Sequence, residues 1–265
     1  MKTDAYLITC LTNMHVGSGE ANYGVVDNLV QRDPISEIPI INSSSLKGAL
    51  REFFSDVWKS ESDKLNYVFG PDALRSKGAE SGIGHYKFFD ANLIILPVRS
   101  NMKPFYRATS DNVMKEINNR AKALGLENFN INPFNPVSAL EGKPKVADNG
   151  KPMLEDYQAE NGLILKNNNH NLGDDLALFY DDDFKDLVKH LPVIARNNLE
   201  NGQSQNLWYE EVVPRESRFV FFVSKTEDND KVKQKDFDDA FENKLIQIGG
   251  NASIGYGYTK IIKLS

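Results

Sequence analysis

Cysteine is almost absent from this 265-residue chain, and Cys10 stands alone. A single thiol excludes an internal disulfide and any zinc centre built on several cysteines. It suits a reducing compartment, read here as the cytoplasm. Long apolar runs are missing as well: no stretch of about 18 apolar residues occurs, so neither a spanning helix nor a membrane partner is expected. The opening residues Met1-Lys2-Thr3-Asp4-Ala5-Tyr6 lack the apolar stretch and small-residue cleavage site of a secretory leader. Positive charge is in short supply, with 31 Lys+Arg against 37 Asp+Glu for a net charge of −6. Capture of nucleic acid by bulk charge needs several Lys/Arg–phosphate contacts. Any such role must therefore come from local groups, or from sharing the nucleic acid among many subunits. No G-x-x-x-x-G-K-[ST] phosphate loop is present, and no repeat of about 20–50 residues is visible.

What is present is enough for a real core, with 40% apolar and 10% aromatic residues, in one large domain or two small ones. Ala5 to Leu11 reads as a buried first strand. A glycine-rich segment with Gly17, Gly19 and Gly24 runs from Asn13 to Asp33. After Ile40-Ile41, a helix starts at Ser43-Ser44-Ser45 with a serine as N-cap. Leu46, Leu50, Phe53, Phe54, Val57 and Trp58 fall at helical spacing toward the core. Residues 60–84 read as irregular, Phe88 to Val98 as a strand and Asp111 to Leu124 as a helix. Residues 125–175, rich in Asn, Pro and Gly and including the run Asn167-Asn168-Asn169, read as a functional insertion or a partner-contacting arm. Asp181-Asp182-Asp183 opens a helix through His190, placed to suit its dipole. Arg218 to Val223 is a strand, Asp236 to Ile248 a helix stopped by Gly249-Gly250, and Thr259 to Leu264 the last strand. The order suits an α+β domain with a mostly antiparallel, ferredoxin-like sheet and large insertions.

Three segments together resemble the RAMP superfamily. They are His15-Val16-Gly17-Ser18-Gly19-Glu20 with Gly24-Val25-Val26-Asp27-Asn28, then Ile40-Ile41-Asn42-Ser43-Ser44-Ser45-Leu46-Lys47-Gly48-Ala49-Leu50-Arg51, and finally Ile248 to Gly257. Two more, Phe89 to Leu93 with Leu96-Pro97-Val98-Arg99-Ser100, and Asn206-Leu207-Trp208-Tyr209-Glu210-Glu211 with Pro214, are similar to backbone subunits of type III-B CRISPR effectors. The landmarks span residues 13 to 257, and their order and spacing are more specific than any one of them. The resemblance implies a single RAMP domain over 1–265: a ferredoxin-like (RRM-like) palm with insertions around 13–38, 60–84 and 100–215, among them a helical insertion and a protruding thumb hairpin. It implies CRISPR RNA, target RNA, further copies of the chain in a filament and other effector subunits as partners. It also implies a target-RNA endoribonuclease that needs a divalent metal, Mg²⁺ or Mn²⁺, and leaves a 2′,3′-cyclic phosphate.

Asp27 matches the loop aspartate to which the family assigns cleavage. A carboxylate there could hold the metal against a phosphate oxygen or orient the attacking 2′-OH; as a bare residue it is equally a turn former. His15 is a candidate for proton transfer or RNA contact, or a strand-end histidine bonding the loop. Glu20 and Asp33 are further acids of the segment. Ser44, Ser45, Lys47 and Arg51 sit at a helix start, where N–H groups and the dipole favour a phosphate. The resemblance turns them toward the guide backbone, while the residues alone read as a cap and two solvated cations. Gly249, Gly250, Asn251, Gly255, Tyr256 and Gly257 form the loop that the family lays over the guide. Glycine there permits close RNA approach or tight turns, and Tyr256 and Tyr258 could stack on bases or pack inside. Glu210 is a candidate to assist cleavage, against the alternative of an exposed hairpin whose two glutamates serve solubility. Val212 stands where some relatives carry an aromatic, which weakens a tyrosine-assisted role. His85, His170 and His190 show no metal-ligand spacing. Two other readings remain open at this point: an RNA-binding scaffold (or type III-A equivalent) without catalysis, and a stand-alone metal-dependent phosphodiesterase.

Overall fold

A computed structural model of the chain describes residues 1–19, 24–59, 61–71, 82–166 and 171–265. Glu20, residues 72–81, the Asn167-Asn168-Asn169 run and His170 lie outside the described residues. In chain order come β1 (Lys2–Cys10), β2 (Ile40–Ile41), α1 (Ser43–Val57), α2 (Ser62–Phe69), β3 (Lys87–Phe88), β4 (Ala91–Arg99), β5 (Phe105–Ser110) and α3 (Asp111–Ala123). The short strands β6 (Lys145–Val146), β7 (Met153–Leu154), β8 (Tyr157–Gln158) and β9 (Glu160–Asn161) follow, then β10 (Leu176–Phe179) and α4 (Asp181–Lys189). The chain ends with β11 (Val193–Glu200), β12 (Gln203–Glu211), β13 (Arg218–Lys225), α5 (Gln234–Asp239), β14 (Ile246–Gln247) and β15 (Tyr258–Lys263).

Four strands make the frame. They stand side by side in the order β15-β1-β13-β4, each antiparallel to its neighbour. Helix α1 lies between the first and second of these in sequence, and α5 between the third and fourth. That is the split βαβ arrangement of a ferredoxin-like fold, as expected. The sheet then extends through β5, β10, β6 and β9; of these joints β5–β10 and β6–β9 are parallel. Everything from β5 to β12 is inserted between β4 and β13.

The frame follows from alternation. Tyr6, Phe221, Phe237 and Phe54 meet on one face of the sheet, with Tyr6 stacked on Phe221 at 5.1 Å and Phe54 on Phe237 at 4.8 Å. Such offset aromatic pairs add about 0.5–1.5 kcal/mol each beyond area burial. Helix α1 contributes Leu46, Leu50, Phe54 and Trp58 to this core, a stripe at i+4 spacing. Val57 falls off the stripe and is exposed, so the expectation that it faces inward fails.

Three further local expectations are corrected. The N-cap of α1 is Asn42, not a serine, and its side chain makes no capping bond. Asp90, the residue before β4, supplies that function, accepting from the Ser43 N–H at 2.6 Å. Within residues 60–84, Leu65, Val68 and Phe69 have helical spacing and form the inner face of α2. The helix expected from Asp236 to Ile248 ends at Asp239. Phe237 and Phe241 pack as one turn would place them, but Asn243 takes a left-handed conformation (φ 53°) and Ile246 leaves to pair with Thr259. The acidic trio caps its neighbours as well: Asp181 accepts from the Asn112 N–H at 2.9 Å and Asp183 from the Gly142 N–H at 2.7 Å.

Under the frame lies a buried ion cluster. The Lys225 ammonium is fully buried and reaches Asp4 at 2.5 Å and Asp238 at 2.8 Å; Lys263 bonds the same two carboxylates at 2.8 Å each. Burial pushes the Asp4 carboxyl up, but hydrogen bonds from Lys225 and Lys263 more than offset it and leave its pKa below the ordinary value. A depressed folded-state pKa contributes stability that is present above the unfolded carboxylate value of about 3.9 and is lost as pH falls through the folded value. The urea midpoint should therefore change little between about pH 7 and 5 on this account and drop below about pH 4. Lys225→Met removes the buried cation and leaves Asp4 and Asp238 to Lys263 alone, which should cost about 3–5 kcal/mol at neutral pH, with a shallower acid limb. Urea titrations of both proteins across that range check this; a variant as stable as the parent would remove the cluster from the argument.

Candidate functional site

Three distant segments converge beside the β11–β12 hairpin: the glycine-rich segment 13–33, the hairpin's root at Tyr209-Glu210-Glu211, and the loop 249–257. The hairpin pairs with no third named strand among the described residues. Its root is therefore where it must be held, and the backbone of residues 27–28 does part of this. The N–H groups of Asp27 and Asn28 both donate to the Tyr209 carbonyl, at 3.0 and 3.1 Å, and the Glu211 N–H donates to the Asn28 carbonyl at 2.9 Å.

Asp27 is exposed. Its Oδ2 accepts from the Tyr209 N–H at 2.8 Å, so the carboxylate is pinned to the hairpin from a segment 182 positions away. Its carboxylate bonds a distant strand, and it is a solvent-facing acid at a fixed point. His15 is buried, and its Nδ1 donates to the Glu211 carbonyl at 2.7 Å. In the neutral ring this leaves Nε2 as the acceptor. The Cβ position of Gly17 lies 3.1 Å from that nitrogen, so the small residue leaves it room. Asp33 is spent on a turn, with Oδ1 accepting from the Ile35 and Ser36 N–H groups at 3.0 and 2.8 Å.

The two glutamates of the hairpin are not exposed, which overturns the solubility reading. Glu210 is 6% and Glu211 4% exposed. Glu210 accepts from Arg196 Nε at 3.0 Å, Trp208 Nε1 at 3.1 Å and Asn251 Nδ2 at 2.9 Å. Burial raises its pKa, yet the Trp208 and Arg196 bonds, with His15 nearby, bring it below the ordinary value. It stays ionised, with three donors on its two oxygens. Glu211 accepts from the Val30 N–H at 3.0 Å and from Arg32 at 2.5 Å.

The loop 249–257 joins this cluster from the other side. The Gly250 N–H donates to the His15 carbonyl at 2.8 Å and the Gly257 N–H to the Asn13 carbonyl at 2.8 Å. Tyr256 is half-buried under the Arg196 guanidinium, 4.4 Å from its ring centre; Tyr258 belongs to β15. Gly249 and Gly257 have internal reasons to be glycine: both are left-handed, and a Cβ would meet the His15 carbonyl oxygen at 2.3 Å or the Ile248 carbonyl oxygen at 2.0 Å. Asn251 and Gly255 are also left-handed, bracketing an exposed turn at Ala252–Ile254. At Gly250 a Cβ would find nothing closer than 3.9 Å.

The start of α1 is a second, adjoining region. Gln31 ties it to the first, donating to Ser45 Oγ at 2.9 Å and accepting from the Asn42 N–H at 2.8 Å. Ser44 is exposed. Arg51 is committed inward, to the Gly70 carbonyl and to Asn66 Oδ1. Lys47 has no carboxylate partner among the described residues. Its ammonium is pushed below the ordinary lysine range by burial and by the neighbouring Lys87 and Arg51 charges. Sequence reading missed Lys87, which lies in β3 and meets α1 through the fold alone.

Among the described residues no group of three His, Cys, Asp or Glu side chains could hold a metal ion. Asp27 offers one carboxylate. That fits a Mg²⁺-type ion whose remaining ligands are water and substrate phosphate, and not a resident ion caged by protein. His85 stacks on Tyr67 at 4.0 Å, and His190 bonds the Asp186 carbonyl, both away from this site.

The chain is similar to known proteins over nearly its whole length. The RAMP superfamily model matches residues 7–260. The chain is 30% identical, over 284 aligned positions covering 97% of it and 95% of the relative, to the CRISPR system Cmr endoribonuclease Cmr4 of Pyrococcus furiosus. It is 31% identical over 175 positions, 57% of the chain and 78% of the relative, to the Cms endoribonuclease Csm3 of Streptococcus thermophilus. A subunit of the type III-B Cmr-beta complex bound to cognate target RNA superposes with a TM-score of 0.76 at 21% identity, over 100% of this chain and 98% of that one. Oligomeric Cmr4 from Pyrococcus furiosus gives 0.71 at 23% identity, over 99% and 98%. At such identities the likeness speaks to the fold.

The glycine geometry gives a direct test. Gly257→Ala should cost about 1–3 kcal/mol, because it forces a side chain into a left-handed position against a carbonyl, whereas Gly250→Ala should leave stability within about 0.5 kcal/mol. Thermal and urea unfolding of the two variants distinguish them, and equal losses would contradict the packing described.

Proposed function

The chain belongs to the RAMP superfamily, and from that premise we propose that it is a backbone subunit of a type III-B CRISPR effector that holds guide RNA and cuts the paired target RNA. The type III-B assignment rests on coverage: the match to the Cmr-type relative runs over 97% of the chain, that to the Csm-type relative over 57%. The partners that follow are CRISPR RNA, target RNA, further copies of the chain and the remaining effector subunits. The cytoplasm is the compartment proposed; no described helix is long and apolar enough to cross a membrane.

One observation carries the catalytic part: an exposed carboxylate, Asp27, held at a defined point where the glycine-rich segment meets the hairpin root. Cleavage by the neighbouring ribose needs little covalent chemistry from protein. The 2′ oxygen bonds to phosphorus, the bond from phosphorus to the 5′ oxygen breaks, and a 2′,3′-cyclic phosphate and a 5′-hydroxyl result. Asp27 accepts the 2′-OH proton, and the leaving oxygen takes one from solvent. A divalent ion bound through Asp27 would neutralise charge on the phosphate. His15 and Glu210 are assigned support, since both are buried and bonded into the hairpin root. Lys47, Ser44 and Ser45 are assigned to the guide backbone, with Arg51 holding α1 in place.

The reconstituted complex tests this with labelled target. Asp27→Ala should leave target affinity within about twofold and lower the cleavage rate at least about 100-fold. Chelation of divalent metal should abolish cutting by the parent complex. Wild-type cleavage by the Asp27→Ala complex would move the chain to the scaffold reading.

A further inference from the structure

We propose that Arg196 and Asn251 are positioning residues for the cleavage site, acting through the buried carboxylate of Glu210 on the backbone that fixes Asp27. The inference rests on the reading of Asp27 just given and extends it to two residues whose side chains bond Glu210.

The path is short and continuous. Glu210 is the residue after Tyr209, and Tyr209 presents both its N–H to the Asp27 carboxylate and its carbonyl to the Asp27 and Asn28 amides. Where Asp27 points is therefore set by where the main chain of β12 lies at Tyr209. A hairpin of two strands has little rigidity of its own in water. The Glu210 side chain supplies what the ladder lacks. It is gripped by Arg196 Nε from the opposite strand at 3.0 Å and by Asn251 Nδ2 from the glycine-rich loop at 2.9 Å. Arg196 also lies across the Tyr256 ring at 4.4 Å, so one guanidinium bonds the hairpin to itself and stacks it on the loop. That loop is in turn tied to segment 13–33 through the Gly250–His15 bond. The cycle closes on the segment that carries Asp27. Asn251 must also accept a left-handed backbone (φ 63°), which asparagine tolerates better than most residues.

The test uses the reconstituted complex with Arg196→Met, which keeps an apolar stem over Tyr256 and removes the charge, and Asn251→Gly, which keeps the left-handed backbone and removes the amide. Each should lower single-turnover cleavage by about tenfold or more while target affinity and complex assembly stay at parent values. Arg196→Lys should recover part of the rate. The double variant should be little slower than the slower single, because both act on one carboxylate. Hydrogen exchange on the free chain gives a readout independent of activity: the Tyr209, Asp27 and Asn28 amides should exchange faster in both single variants. Parent cleavage rates in Arg196→Met and Asn251→Gly, alongside an inactive Asp27→Ala complex, overturn the positioning role alone. Losses that follow target affinity overturn it too, by assigning these residues to RNA grip. An Asp27→Ala complex that cuts normally overturns the catalytic reading and this inference together.

Discussion

A two-stranded hairpin standing off a sheet needs an external hold, and in this chain that hold is a pair of buried glutamates at its root. Glu210 and Glu211 point to opposite sides of β12 by strand alternation, and each finds cations and donors there. Glu210 takes Arg196, Trp208 and Asn251; Glu211 takes Arg32 and the Val30 amide. Removing one partner from such a buried pair leaves a charge without compensation, a penalty larger than the pair's net contribution to stability. The arrangement therefore restricts geometry more than it adds stability. The hairpin root has one orientation in which both carboxylates are satisfied, and the glycine-rich loop and segment 13–33 are built into that orientation.

The frame is legible in the sequence because its elements carry their own apolar patterns. β1 and β13 are near-continuous apolar runs buried on both faces, and α1, α3 and α4 each repeat apolar residues every three or four positions. Errors came where periodicity was present but context decided. Phe237 and Phe241 have helical spacing, yet Asn243 turns left-handed and the chain goes to a sheet edge. α2 is short enough that its three inward residues were lost among polar neighbours. The start of α1 shows the same limit, since its cap is Asp90, in sequence far from the serines that local rules favour.

The site was legible as a set of residues and not as an arrangement. Its motifs could be read one by one, but the bonds that join them link positions far apart in the chain: Asp27 to Tyr209 across 182 positions, His15 to Glu211 across 196, Glu210 to Asn251 across 41. No local signal distinguishes an exposed Glu-Glu pair from a buried one; the three-dimensional supply of Arg196, Arg32 and Asn251 decides it. Lys87 illustrates the converse. It carries no motif, and its effect on Lys47 exists because β3 is folded back beside α1.

The acidic composition also takes on a definite meaning. Many of the carboxylates already have partners within the chain: Asp4 and Asp238 in Lys225 and Lys263, Asp90 and Asp183 in backbone amides, Glu210 and Glu211 at the hairpin root. Net charge counts these together with surface groups, so it understates how positive a particular face can be. At Lys47, burial and then repulsion from Lys87 and Arg51 lower the pKa of the ammonium. An approaching polyanion would relieve that repulsion, and at this place it would meet little bound carboxylate to displace. Asp27, by contrast, is an exposed acid that a polyanion would avoid unless metal or geometry compensated. On the proposed reading, grip and cutting would make opposite electrostatic demands. The Lys47 ammonium lies at the helix start and the exposed Asp27 carboxylate at the hairpin root, and Gln31 ties segment 13–33 to the helix start by two hydrogen bonds.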